Sequence, residues 1–145
     1  MVEAKLVSEL VPTFAAIDCG TNAIRLLIAA VDRNTVTDHL REMRTVRLGE
    51  GVDATGEFRD TALERTFAAC REYAELLMQY EIKELRFIAT SASRDVSNRD
   101  AFTAGVKEIL GVEPEVIGGD QEAELSYRGA LSGLDVWGSV LVSDI

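Results

Sequence analysis

The stretch Thr13–Val31, TFAAIDCGTNAIRLLIAAV, decides how the rest of the chain is read. Two apolar runs, Thr13–Cys19 and Ile24–Val31, flank Gly20-Thr21-Asn22-Ala23. β-prone runs joined by a short Gly/Asn segment predict a hairpin. The first run ends in a carboxylate, Asp18, followed by glycine and two small polar residues. Gly20 permits close approach of the backbone to a ligand. Successive turn N–H groups can form an anion-binding nest, to which the Thr21 hydroxyl and Asn22 amide add donors. Asp18 suits Mg²⁺, held directly or through water. Taken alone, the segment more simply reads as an ordinary turn in which Asp18 accepts backbone bonds. Arg25 alternates with apolar neighbours. It either reaches back to a phosphate, which a guanidinium matches bidentately, or lies on a solvated strand face.

Outward from this hairpin, Asp32-Arg33-Asn34 reads as a second turn, and Thr35–Leu48 as a polar third strand near a sheet edge. Gly49–Arg59 reads as loop. Thr61-Ala62-Leu63-Glu64 has the form of a capping box, opening a helix that ends near Glu81. Leu63, Phe67, Cys70, Ala74 and Leu77 form its apolar face. Leu85–Thr90 is a short strand. Ser97 is placed to cap a helix with Phe102, Val106, Ile109 and Leu110 inward and Gly111 as terminator. Pro114–Gly118 is a strand, Gln121–Leu131 a helix and Ser139–Ile145 a last strand. The order β-β-β-α-β-α-β-α-β predicts an α/β fold. Antiparallel strands come first and parallel strands with right-handed crossovers follow, in a mixed sheet with helices on both faces.

Three further segments carry candidate chemistry. Thr90-Ser91-Ala92-Ser93-Arg94 leaves the carboxyl end of a strand, where hydroxyls and an Arg suit an anion; it also reads as a capping segment with an exposed Arg. Glu122, in the first turn of its helix, either accepts a proton from an attacking water or complements the helix macrodipole. Asp144 repeats the setting of Asp18 at the end of an apolar strand, so the two could flank one cation. His39 reads as a surface residue and Trp137 as a packing residue.

Of the 145 residues, 47% are hydrophobic and 28% charged, ordinary globular usage for one domain. We expect residues 1–12 to be a flexible N-terminus and 13–145 to fold. The formal net charge of −10 argues against nucleic acid or an anionic membrane as partner. A polyanion site here must use local donors, a metal ion or a basic partner lobe. No apolar run is long enough to span a bilayer, and the start lacks the form of a signal peptide. Cys19 and Cys70 form no metal-ligand pattern and read as buried thiols of a cytoplasmic protein. The chain stops at an apolar strand, without the loop that should follow it. We expect a fragment whose exposed edge would favour a homodimer.

Taken together, FAAIDCGTNAIRLLIA, IATSASR, VIGGDQEAELSYRGA and VLVSDI resemble the exopolyphosphatase / guanosine pentaphosphate phosphohydrolase family of the actin-like superfamily, with its ribonuclease H-like sheet. The resemblance runs over residues 13–145. It implies that Asp18, Gly20, Thr21 and Asn22 form the first phosphate loop. It further implies that Arg94 binds phosphate, Glu122 activates water, and Asp144 is the acid of a second loop. It also implies Mg²⁺, a substrate that is polyphosphate or guanosine pentaphosphate, and a C-terminal lobe without which this lobe is inactive. Ala23, where the family often has Ser, and Gln121, where it often has a second acid, depart from the pattern. Other readings are a non-hydrolysing guanosine tetra- or pentaphosphate-binding module and an ATPase or kinase of the same superfamily.

Overall fold

The computed structural model describes residues 11–131. Strands β1 (Thr13–Cys19), β2 (Ala23–Asp32) and β3 (Thr35–Thr45) form an antiparallel meander. A short helix α1 (Val52–Thr55), α2 (Asp60–Leu77), β4 (Ile82–Ala89), a 3-10 turn (Ser91–Ser93), α3 (Arg99–Leu110), β5 (Glu115–Val116) and α4 (Gly119–Leu131) follow. The sheet order is β3-β2-β1-β4-β5. β4 pairs parallel with both β1 and β5, so the α2 and α3 segments are the crossovers. The edge position expected of the polar third strand is observed.

One sheet face is closed by helices. Ala15, Ile17, Cys19, Ile24, Leu26, Ile28, Phe87 and Ala89 are buried there in one core cluster with α2 and α3. Phe102 of α3 holds the centre, 5.6 Å from the Phe58 ring and 6.1 Å from Phe87, both in tilted or edge-on geometry. Gly105 lets α3 approach α2 closely, because a β-carbon there would run into the Phe67 ring. Tyr73 is fully buried in α2, and its hydroxyl donates to the Ile24 carbonyl at 2.8 Å, tying helix to sheet. Helix α4 begins on the opposite face: Glu122, Leu125 and Ser126 line a cavity with Asp18 and Ile88. Those two face each other across the β1–β4 register and lie on the side away from α2. Helices thus flank both faces.

Several local expectations need correcting. The sequence Thr61–Glu64 is not a capping box: α2 starts at Asp60, Arg59 is the N-cap, and no side chain caps it. Thr61 lies inside the first turn. The buried stripe of α2 is Ala62, Leu63, Thr66, Ala69, Cys70 and Tyr73, with Phe67 and Leu77 packed at its margin, and the helix stops at Leu77 rather than near Glu81. Thr66 is tolerated inside because its hydroxyl donates to the Ala62 carbonyl at 2.9 Å. Ser97 does not cap α3; its hydroxyl bonds the Glu57 carboxylate at 3.0 Å. Asn98 is the N-cap, but its amide spans Phe58 instead, accepting from its N–H and donating to its C=O. Gly111 terminates α3 in the left-handed conformation, as expected. β3 stops at Thr45, the 49–59 loop contains α1, and β5 is two residues long. The last strand, Trp137 and Asp144 lie outside the described residues.

Candidate functional site

The register brings the candidate residues to one sheet edge. β1, β4 and β5 are parallel, so their carboxyl ends lie side by side, the place where open α/β sheets bind ligands. The ladder continues past the strands: the Thr90 N–H donates to Cys19 O and the Ile117 N–H to Ala89 O, each at 3.1 Å. These bonds fix the three loops that follow.

The first loop is clasped from behind. The Asn22 carbonyl accepts from both Val46 and Arg47 N–H at 2.9 Å, and the Thr21 carbonyl from Gly49 N–H at 2.9 Å. Gly49 is required by close approach, since a β-carbon there would overlap the Thr21 methyl. Gly20 departs from expectation. Its N–H, expected to face a ligand, closes the hairpin on Ala23 O at 3.0 Å. The Thr21 and Asn22 backbone amides donate to no carbonyl among the described residues, so of the three expected turn donors only these two are not engaged there.

The second loop meets the first through side chains. Thr21 Oγ1 and Ser91 Oγ lie 2.8 Å apart. Whichever hydroxyl donates, the other keeps a proton to offer. Thr90 and Ser93 are buried, and Ser93 Oγ has no hydrogen-bond partner among the described residues. The two loops are 70 residues apart in sequence, and no local pattern announces their contact.

Arg94 connects the second loop to the third. Its Nε donates to Ile117 O at 2.8 Å and its Nη2 to Glu122 Oε2 at 2.6 Å. The two side chains of this ion pair are 29% and 35% exposed, so it is reachable from solvent. Glu122 shares a cavity of about 250 Å³ with Asp18, Thr90, Ile117 and Ser126. Asp18 is half exposed and lies 3.8 Å from Arg25 Nη1 across the β1–β2 register. Arg25 is therefore on the solvated strand face, at Asp18.

No group of three or more His, Cys, Asp or Glu side chains that could hold a metal occurs among the described residues. Mg²⁺, however, is commonly held by one or two carboxylates plus substrate phosphates. The half-exposed Asp18 fits that minimal mode. His39 is exposed on β3 and stacks 6.0 Å from the Tyr80 ring. Cys19 and Cys70 are free and buried, with thiols pushed well above their usual range by burial. Neither is a nucleophile at neutral pH. No helix among the described residues is long and apolar enough to cross a membrane.

Residues 27–145 match the model of the Ppx/GppA phosphatase family, and the chain belongs to that family. Exopolyphosphatase 2 of Mycobacterium tuberculosis is 51% identical over 137 residues, covering 88% of this chain and 43% of the relative. The guanosine-5'-triphosphate,3'-diphosphate pyrophosphatase of Photobacterium profundum is 33% identical over 118 residues, covering 81% of this chain and 24% of that protein. The crystal structure of an exopolyphosphatase-like protein superimposes with a TM-score of 0.83 at 49% identity, over 86% of this chain and 38% of that one. The chain thus has the actin-like fold of the family's N-terminal lobe and spans less than half the length of these relatives.

Proposed function

We propose that the complete protein is a cytoplasmic phosphoanhydride hydrolase that removes the terminal phosphate of inorganic polyphosphate. The observation that supports this best is the meeting of Asp18 and Glu122 in one cavity at the carboxyl edge of the sheet, with Arg94 bonded to Glu122. In this reading the Thr21 and Asn22 amides and the Thr21 hydroxyl hold oxygens of the terminal phosphate. Gly20 contributes through its backbone shape, its own N–H being engaged. Arg94 anchors the chain, and Arg25 adds positive charge beside Asp18. Glu122 orients a water and takes its proton as the water oxygen bonds to phosphorus and the P–O bond to the shortened polyphosphate breaks. Asp18, with Asp144 from outside the described residues, would hold Mg²⁺, which supplies charge neutralisation for the phosphates.

Donors for the transferring group are needed on both sides of it. Residues 1–145 alone should therefore show little hydrolysis, and the C-terminal lobe of the complete protein completes the site. Glu122→Gln in the complete protein should lower phosphate release by about 10²-fold or more, with little change in substrate affinity. Near-normal turnover would remove Glu122 from the reaction. The Photobacterium relative's name favours a second substrate, guanosine pentaphosphate, cleaved at the 5′ γ-phosphate. Comparing kcat/KM for the two substrates decides between them. Tight binding with no turnover of either would leave a sensor.

A further inference from the structure

The geometry points to Arg94 as a bridge: one side of its guanidinium fixes the Glu122 carboxylate while the free edge takes a phosphate oxygen of the same substrate. An anionic base and a polyanion can then share one cavity. This rests on the reading of Glu122 as the proton acceptor.

A guanidinium offers five N–H donors in a rigid fork and no acceptor. One donor, on Nε, goes to Ile117 O, and one, on Nη2, to Glu122 Oε2. Nη1 donates to no described residue. Three of the five donors therefore remain, one on Nη2 and two on Nη1. The Ile117 anchor is itself fixed, because the N–H of the same residue is bonded to Ala89 O at the end of β4. Turning the fork away from Glu122 to meet a phosphate would break the Ile117 bond too. Receiving the phosphate on the free edge breaks neither.

The electrostatics favour the same arrangement. A carboxylate and a phosphate oxyanion repel each other, more strongly where water is partly excluded. In the bridge Arg94 would stand between them and each would meet a cation; without Arg94 they would face each other. In the contrary arrangement the phosphate displaces Glu122 from Arg94. The two differ in the sign of one coupling. If Arg94 bridges, the Glu122 charge harms binding mainly when Arg94 is gone. If the phosphate displaces Glu122, the charge harms binding mainly when Arg94 is present.

The test is a double-mutant cycle on the complete protein. Binding of a non-hydrolysable imido analogue of triphosphate is measured by calorimetry with Mg²⁺ present. Glu122→Gln alone should change Kd by less than about threefold, and Arg94→Met should weaken binding about 10- to 100-fold. In the Arg94→Met background, Glu122→Gln should recover about fivefold or more of that loss. Tightening of tenfold or more by Glu122→Gln alone, with no further gain beside Arg94→Met, would overturn the bridge; so would independent, additive effects. If Arg94→Met does not fold, the cycle is run with Arg94→Lys, which keeps one charge but loses the fork, and the same sign is required. No binding of the analogue by the unsubstituted complete protein would sink the functional reading itself, whereas binding with the wrong sign of coupling sinks only the bridge.

Discussion

On β1 alone, Ala15, Ile17 and Cys19 are at most 4% exposed, while Ala16 and Asp18 between them face solvent. β2 repeats the contrast, with Ile24, Leu26 and Ile28 sealed and Arg25 exposed. On the other face of the same strands, Phe14, Ala16, Leu27 and Val36 line a cavity of about 480 Å³, and Asp18, Arg25, Leu27 and Met43 line another of about 450 Å³. One face is a core that α2 and α3 have filled. The other, among the described residues, is an open surface whose upper end, near α4, carries the candidate site. Alternation along a strand usually separates core from water. Here the outer side of that alternation also carries the candidate site.

The largest effect should come from the closed face. Phe102→Ala removes the ring that joins Phe58 to Phe87 and should cost about 3–5 kcal/mol in urea unfolding. A loss below about 1 kcal/mol would mean that the core around α3 refills, and the contrast between faces would weaken. A second measurement sharpens it through pH. Burial pushes the Cys70 thiol from 9.0 up to about 12 and the Tyr73 phenol from 10.0 up to about 12, and Cys19 higher still. The native state therefore keeps protons that the unfolded chain releases. That stability is fully present at neutral pH and is lost as pH rises from about 9 toward 12. Urea midpoints should be level up to about pH 8.5 and then decline; a level profile through pH 11 would show that these groups reach solvent in the native state. The smallest effect belongs to the open face. Val36→Thr, at a residue 48% exposed, should change stability by no more than about 0.5 kcal/mol. A larger cost in the complete protein would show that another part of it covers this face.

The hairpin is legible in the Gly20–Ala23 turn between two apolar runs, the edge strand in the polarity of Thr35–Leu48, and the α/β order in the runs and helical faces that follow; the alternation that separates the faces is not, because TFAAIDC reads as one apolar run. Helix starts were less legible. Thr61 and Ser97 are good capping residues by type, yet α2 begins one residue before Thr61, and the Ser97 hydroxyl is drawn to Glu57, 40 residues away. Tertiary partners override the local signal. Asp18, Thr21, Arg94 and Glu122 could be nominated one by one, because strand ends and helix starts are marked in the sequence. Their assembly could not. The Thr21–Ser91 hydroxyl pair, the Arg94–Ile117 bond and the loss of the Gly20 N–H to Ala23 all depend on how β1, β4 and β5 align.

The clasp behind the first loop has a thermodynamic consequence. With the Thr21 and Asn22 carbonyls already holding Val46, Arg47 and Gly49, the turn gives up its conformational entropy when the sheet forms, not when a ligand arrives. Whatever binds at Thr21 meets a preorganised surface, so its affinity is not reduced by the cost of ordering a loop. By the same reasoning Gly49, which need touch no ligand, bears on that surface from behind: a methyl group added there would overlap the Thr21 methyl and push the side chain out of its preset position.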